Sequence, residues 1–189
     1  MNFDYEIAND NGAIIYGIID GNESIVFIKA GAGGSHTGYE NKYLHMAHAI
    51  HRKDGSTVIC ASNPSDALSR EYDGAVLQQI LGARSNPNSK PKIRFIGTSR
   101  GAFLGLTELA EHFEFDKLLL INMPLMVNFH KVKKARAISR AVFVFGSADP
   151  SVPYIPFLKR HTESITVIQG ADHNFKEKTE DFISLYNLI

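Results

Sequence analysis

From residue 31 to the end, short apolar runs alternate with longer amphipathic stretches, and this alternation constrains the fold more than any other feature of the sequence. The apolar runs predict strands at residues 57–61, 92–96, 117–121, 141–145 and 164–168. The amphipathic stretches predict helices at about residues 41–52, 71–83, 100–113, 128–139 and 174–188. Because strands this apolar have to be covered on both faces, the alternation predicts a mostly parallel sheet between two layers of helices.

The first thirty residues instead show short β-rich runs separated by turn signals. Asn9-Asp10-Asn11-Gly12 and Asp20-Gly21-Asn22 separate the runs at residues 5–8, 13–19 and 24–30. Asn-Gly and Asp-Gly pairs favour tight hairpins, because these residues tolerate the positive φ that such turns require. We therefore expect an antiparallel N-terminal meander through residue 30, and a three-layer α/β sandwich with about eight strands in all.

Length and composition limit the number of domains, the kinds of partner and the location of the protein. The 189 residues suffice for one domain, 1–189, and the only linker-like stretch, residues 85–91, predicts a surface loop. Lys plus Arg equals Asp plus Glu at 20 each, so we expect no nucleic-acid partner and no membrane partner. No apolar run approaches the roughly 18 residues of a membrane span, and the lone Cys60 excludes an internal disulfide. We expect a cytoplasmic protein, and nothing in the sequence argues against a homodimer.

The sequence Gly97-Thr98-Ser99-Arg100-Gly101 lies where a predicted strand runs directly into a predicted helix. This is a G-x-S-x-G pattern in the strand–turn–helix setting of a nucleophile elbow. The glycines leave space for close packing of strand and helix, and the turn exposes the Ser99 hydroxyl at the carboxyl end of the sheet, where open α/β folds bind ligands. The pattern indicates Ser99 as a nucleophile, although a Gly/Ser turn that merely joins a strand to a helix would look the same.

A serine nucleophile needs a base, and the base needs a partner that orients it. Asp149 follows the predicted strand at residues 141–145 and His173 follows the one at residues 164–168, so both lie one loop past a strand and downstream of Ser99. Ser, then Asp, then His is the chain order that this architecture uses. We therefore predict Ser99, Asp149 and His173 as a catalytic triad. Taken singly, Asp149 is also a common turn residue and His173 a common surface residue.

Other acids and histidines are placed less favourably. His161 and Asp116 precede their strands, which puts them on the wrong side for this site. Asp172 adjoins His173, and neighbours in a chain seldom face each other as a triad requires. The residue after the strand at 117–121 is Asn122, an amide and not an acid.

The run at residues 24–30 ends in the glycine-rich loop Gly31-Ala32-Gly33-Gly34-Ser35-His36. Acyl transfer creates an alkoxide that preorganised N–H donors have to stabilise. We predict the amides of Ala32 and Arg100 as these donors, since Arg100 follows the nucleophile and the glycines let the loop approach a substrate. Such a loop can also hold a phosphate, but this one lacks the third glycine of a dinucleotide motif and the Lys-Ser/Thr ending of a Walker loop.

Further substrate contacts are predicted from position alone. The residues in and just after this loop that are expected to contact a substrate are Gly31, Gly33, Ser35, His36 and Tyr39. Met123 and Met126 follow a strand end, where they either line an acyl pocket or pack between the loop and the next helix.

These four segments, in this order, resemble the α/β-hydrolase superfamily: residues 30–35, 97–101, 146–153 and 170–175. The resemblance spans the chain from about residue 24 to the end. One departure is Lys29-Ala30 before the glycine-rich loop, where many relatives have His-Gly. Only about twenty residues separate the strands at 117–121 and 141–145, which leaves no room for an inserted cap domain.

The resemblance implies a serine hydrolase that cleaves an ester, thioester or amide of a small acyl substrate, without a metal or organic cofactor. The histidines at 45, 48 and 51 do not change this expectation, because steps of three drift around a helix and would not converge on one metal. Two alternatives stay open: a non-catalytic binding protein on the same fold, and an acyltransferase or perhydrolase that uses the same triad.

Overall fold

Eight strands form a single sheet in the computed structural model, which describes residues 1–9, 12–64, 69–84 and 91–189. The strands are β1 (Tyr5–Ala8), β2 (Ile15–Ile19), β3 (Asn22–Lys29), β4 (Ser56–Ala61), β5 (Ile93–Thr98), β6 (Lys117–Ile121), β7 (Ala141–Gly146) and β8 (Ile165–Ile168). Their order is β1-β2-β4-β3-β5-β6-β7-β8. From β4 to β8 in this order all neighbours are parallel, whereas β2 is antiparallel to both β1 and β4. The predicted mixed sheet of about eight strands is confirmed.

The prediction of a meander through residue 30 is wrong for its third strand. β3 does not pair with β2; it lies between β4 and β5 and is parallel to both. The Asp20-Gly21 turn forms no hairpin, because the Gly21 N–H donates instead to Thr57 Oγ1 at the start of β4. Residues 25–29 are completely or almost completely buried, which suits a central strand and overrides the local hairpin signal.

In the described part of the chain, seven α-helices cover the sheet: α1 (Lys42–Asp54), α2 (Ser69–Arg84), α3 (Arg100–Leu104), α4 (Ala110–His112), α5 (Phe129–Lys134), α6 (Ile155–Leu158) and α7 (Thr179–Ser184). A π-helical segment, Gly105–Leu109, joins α3 to α4. Side chains of α1 and α7 pack on one face of the sheet. Those of α2 to α6 pack on the other face, so the predicted three-layer sandwich is confirmed.

Two predicted helices are shorter than the sequence pattern indicates. The helix expected at 128–139 ends at Lys134, because Ala135 takes an extended conformation. The helix expected at 174–188 begins at Thr179, because Phe175 and Glu177 have positive φ and form an irregular loop. Phe175 is buried against the Phe182 ring, and that packing holds the loop instead of a first helical turn.

The chain between β6 and β7 is fully described and contains only α5 and a short 3₁₀ helix, Ile138–Arg140, so no domain is inserted there. Residues 85–90 of the predicted surface loop, and Asp10 and Asn11 of the first predicted turn, lie outside the described residues. None of the helices in the described part of the chain combines the length and apolar character that crossing a membrane requires.

Parallel register sets where the loops leave the sheet. Lys29, the last residue of β3, pairs with Gly97 of β5, and Thr98 pairs with Ile121 at the end of β6. Ile121 in turn pairs with Val144 of β7. The loops that follow these strands therefore emerge side by side at one edge of the sheet.

Candidate active site

Ser99 occupies the tight turn between β5 and α3. Its backbone has φ 52° and ψ −121°, a conformation that residues other than glycine rarely adopt. The Ser99 N–H donates to the Ile121 carbonyl oxygen at 2.8 Å, which ties the turn to the neighbouring strand β6. Such strain persists only where the surrounding structure enforces it, and it is concentrated at functional sites.

The two glycines that flank Ser99 are required by close backbone contacts. A Cβ on Gly97 would lie 2.5 Å from Ala102 Cα, and a Cβ on Gly101 would lie 2.4 Å from the Ala30 carbonyl oxygen. Both neighbours are backbone atoms and cannot move aside. The strand–turn–helix interpretation of the G-x-S-x-G pattern therefore agrees with the packing that the structure shows.

The three predicted triad residues lie in one hydrogen-bonded row. Ser99 Oγ is 3.0 Å from His173 Nε2, and His173 Nδ1 is 2.5 Å from Asp149 Oδ2. When Nδ1 carries the proton and donates to Asp149, Nε2 is free to accept the proton of the Ser99 hydroxyl. The Asp149 side chain is completely buried, whereas 38% of the His173 side chain is exposed. The row therefore runs from the interior toward the protein surface.

The Asp149 carboxylate is stabilised in its charged form. Burial alone raises the pKa of Asp149, but hydrogen bonds from His173 and from Ser151 outweigh burial and hold the pKa below its ordinary value. The Ser151 N–H donates to Asp149 Oδ1 at 2.7 Å. Ser151 is itself fixed by its hydroxyl, which donates to the Met123 carbonyl oxygen. Asp149 is therefore an oriented carboxylate that accepts from both sides.

Asn122 positions the histidine, a role that was not predicted from the sequence. Its side chain is completely buried. The amide group donates to the carbonyl oxygens of Asp172 and His173 at 3.1 and 2.8 Å, and its oxygen accepts from the Gly146 N–H at 2.8 Å. Asn122 thus joins the end of β6 to the His173 loop and to the end of β7. The available sequence signal was a polar residue directly after an apolar strand, at the edge of the site.

The glycine-rich loop after β3 approaches the nucleophile. A Cβ on Gly31 would lie 3.3 Å from Ser99 Cβ, so the loop backbone passes against the serine. Asn63, which is completely buried, anchors this loop. Its side chain donates to the Ala30 carbonyl oxygen, its own carbonyl oxygen accepts from the Gly33 N–H, and its N–H donates to the Gly34 carbonyl oxygen. This placement suits the predicted oxyanion role of the Ala32 and Arg100 amides.

A cavity of about 460 Å³ opens beside Ser99 and His173. Of the predicted site residues, Gly31, Ala32, Ser35 and Tyr39 line it. Gly33 does not line the cavity. It has φ 70° in the turn of the loop, and its N–H donates to the Asn63 carbonyl oxygen. Residues that line the cavity without having been predicted include Gly34, Gly38, Lys42, Tyr43, Asn174 and Lys176.

The remaining predicted contacts lie elsewhere. His36 pairs with Glu6 at 2.9 Å and packs against the Phe3 ring, so its imidazole is held by the N-terminal segment. Met123 is completely buried in the hydrophobic core and does not line this cavity, which favours the packing alternative over the acyl pocket. Met126 is 44% exposed next to Ser151 and is not part of the cavity lining described for this site.

A buried charged cluster lies beneath the glycine-rich loop, at Lys29, where the sequence departs from the pattern that it otherwise resembles. Lys29 is completely buried, and its Nζ lies 2.9 Å from both carboxylate oxygens of Asp73. The ammonium also donates to the Ser62 carbonyl oxygen at 2.7 Å, and the Tyr16 hydroxyl donates to Asp73 Oδ1 at 3.0 Å. The cluster links β3, α2 and β2 with the segment that carries Asn63.

Solved structures with the same fold were found by structural comparison. An α/β serine hydrolase homologue from Coxiella burnetii has a TM-score of 0.71 and 18% identity, and the match covers 100% of this chain and 99% of that one. A lidless α/β serine hydrolase from Xanthomonas campestris has a TM-score of 0.70 and 18% identity over 97% and 91%. Dienelactone hydrolase from Anabaena variabilis has a TM-score of 0.66 and 14% identity over 100% and 95%.

No family model and no curated protein sequence matches the chain. The structural matches span nearly the whole chain, so the resemblance to the α/β-hydrolase fold without a lid is confirmed as a statement about fold. The chemistry has to be argued from the site itself.

Proposed function

We propose that this chain with the α/β-hydrolase fold is a serine hydrolase that cleaves a carboxylic ester or thioester of a small substrate through an acyl-enzyme intermediate. The observation that supports the proposal is the row Ser99–His173–Asp149, with contacts of 3.0 and 2.5 Å at the mouth of a cavity. The fold is shared with proteins named serine hydrolases and with a dienelactone hydrolase, and a lactone is a cyclic ester.

In the proposed reaction, Ser99 Oγ attacks the carbonyl carbon while its proton passes to His173 Nε2. The carbonyl oxygen becomes an alkoxide that the amides of Ala32 and Arg100 stabilise. His173 then gives the proton to the leaving alcohol or thiol, and the carbon–oxygen or carbon–sulfur bond breaks to leave the acyl-enzyme. A water molecule repeats the sequence, with His173 as base and then as acid, and releases the carboxylic acid and free Ser99. Asp149 holds the imidazole and stabilises its cation throughout.

Labelling with a fluorophosphonate tests this proposal directly. An activated Ser99 attacks phosphorus and displaces fluoride, so intact mass should rise by one adduct on the wild-type protein and by none on Ser99→Ala. The absence of an adduct on folded wild-type protein would favour the non-catalytic binding protein. If labelling succeeds, product analysis with a competing alcohol or peroxide separates hydrolysis from transfer to another acceptor.

We expect Asn122→Ala to lower the labelling rate and kcat/KM on 4-nitrophenyl esters together, by about ten- to a hundredfold. The change removes both donors that hold the carbonyl groups of Asp172 and His173, so the imidazole loses its fixed position. It also leaves buried carbonyl groups unsatisfied, which costs about 1–3 kcal/mol of stability.

The control for that variant is Ile59→Val, a core change away from the site that costs about 1 kcal/mol. It should lower the melting temperature without slowing labelling. Equal rate losses in both variants would mean that Asn122 acts only through overall stability.

A further inference from the structure

The charged residues that line the active-site cavity have one sign. Lys42 from α1 and Lys176 from the His173 loop both contribute to its wall. The described lining includes no aspartate or glutamate. A cavity with cationic walls and low-dielectric surroundings attracts anions, and the attraction strengthens as water is excluded.

Lys42 is the unusual member of this pair, because its charge is buried. Only 5% of the residue is exposed. Its Nζ donates to the Asn174 carbonyl oxygen at 2.8 Å and lies 4.4 Å from the centre of the Phe182 ring. Within the described residues no carboxylate oxygen lies within ion-pair distance of this ammonium, and Asn174 is its one hydrogen-bond acceptor. An ammonium has three N–H donors, so two remain for a ligand.

The nearby acids are engaged elsewhere. Asp172 Oδ1 accepts from the N–H groups of Asn174 and Lys176, at 3.0 and 2.9 Å. Glu40 accepts from the Thr179 hydroxyl at 2.8 Å. Burial lowers the pKa of Lys42 to about 8, and the charge of Asp172 partly opposes this shift, so the side chain is largely cationic at neutral pH. Burying a cation without a carboxylate partner is unfavourable unless another anion pairs with it.

We propose that the substrate carries a carboxylate remote from its ester bond, and that Lys42 binds this carboxylate. The inference rests on the proposed function, because it concerns the same cavity. A carboxylate fits better than a phosphate monoester: it matches the single buried cation with one charge, whereas a phosphate carries nearly two charges and three strong acceptor oxygens. The acyl chain runs from Ser99 toward α1, and the exposed Lys176 adds a weaker attraction at the rim.

Matched pairs of esters test the proposal. One member is the mono-4-nitrophenyl ester of a straight-chain diacid of five, six or seven carbons, and the other is the ester of the monoacid of the same length. We expect the wild-type protein to favour the charged ester in kcat/KM by about tenfold at the best length. Lys42→Met should abolish the preference, and Lys42→Arg should retain most of it.

The ratio within each pair is the informative quantity, because Lys42 also holds the His173 loop through Asn174. A merely structural role would lower kcat/KM on both esters of a pair equally and leave their ratio unchanged. Lys53→Met is the matched control: it removes one lysine from the far end of α1, where the ammonium contacts Asn187 and Tyr186. Its ratio should equal that of the wild-type protein.

Binding to Ser99→Ala gives a second readout that needs no turnover. Calorimetry with adipate and with the uncharged adipamide should show binding of the dicarboxylate only, and its loss in the Ser99→Ala/Lys42→Met protein. Turnover of both esters at equal rates, with equal binding of adipate and adipamide, would overturn the carboxylate inference and leave the hydrolase proposal intact. No turnover and no labelling, together with adipate binding, would overturn the hydrolase proposal and leave the anion site standing.

Discussion

Replacing Ser99 by alanine is expected to lower kcat on 4-nitrophenyl esters by about 10⁴-fold or more, with little change in stability. His173→Ala should cost about as much, and the double variant should be no slower than either single variant, because nucleophile and base act as one unit. The physical basis is the direct contact between Ser99 Oγ and His173 Nε2. Steady-state kinetics on the three variants would measure the non-additivity.

Ser184→Ala makes the same chemical change near the end of α7, where the hydroxyl donates to the Asp181 carbonyl oxygen. This control should retain wild-type kinetics. A Ser99→Ala protein that retained more than about a tenth of the wild-type rate, far above the residual activity expected of a triad variant, would show that hydrolysis does not pass through this serine.

The second large effect concerns stability. Lys29→Met is expected to lower the free energy of unfolding by about 3–5 kcal/mol, since it leaves the Asp73 carboxyl group buried without its cation. For a chain of this length, that loss corresponds to a fall in melting temperature of about 10 °C. Urea unfolding followed by circular dichroism would give the free energy, and a thermal melt would give the temperature.

The double variant Lys29→Met/Asp73→Leu separates the contribution of the ion pair to the free energy of unfolding from that of side-chain packing. It should recover much of the loss, because removing both partners avoids an unpaired buried charge. Recovery should remain incomplete, because the Tyr16 hydroxyl and the Ser62 carbonyl oxygen lose their partners. The single variant Asp73→Leu completes the comparison. If the stability lost in the double variant equalled the sum of the losses in Lys29→Met and Asp73→Leu, the two residues would not be coupled as their contacts indicate.

The fold and the central row of the site could be predicted from sequence because both depend on local patterns and one topological rule. Apolar runs fix the parallel strands, and residues just past their carboxyl ends must meet at one edge of the sheet. Ser99, Asp149 and His173 all satisfy that rule. The position of β3 could not be predicted in the same way, because the choice between a hairpin with β2 and a place between β4 and β5 depends on burial across the whole sheet.

The supporting contacts were missed for a related reason. Asn122 and Asn63 act through side-chain amides that bond backbone groups of other segments, and Lys42 bonds a carbonyl oxygen 132 residues away. No periodicity or motif encodes such partners. For Met123 the sequence left two positions open, because an apolar residue after a strand end can face the core or a cavity, and only packing decides between them.

The pairing of Lys29 with Gly97 and of Thr98 with Ile121 fixes how far each following loop extends relative to Ser99. A slip of one residue between β3 and β5 would displace the glycine-rich loop relative to Ser99 by about 3.3 Å and turn every side chain of the slipped strand to the opposite face. Donor–acceptor distances in hydrogen bonds vary by only a few tenths of an ångström. A displacement of about 3.3 Å would therefore break the contacts between the glycine-rich loop and its partners. Correct pairing of β3 with β5 is therefore one condition for placing the glycine-rich loop against Ser99.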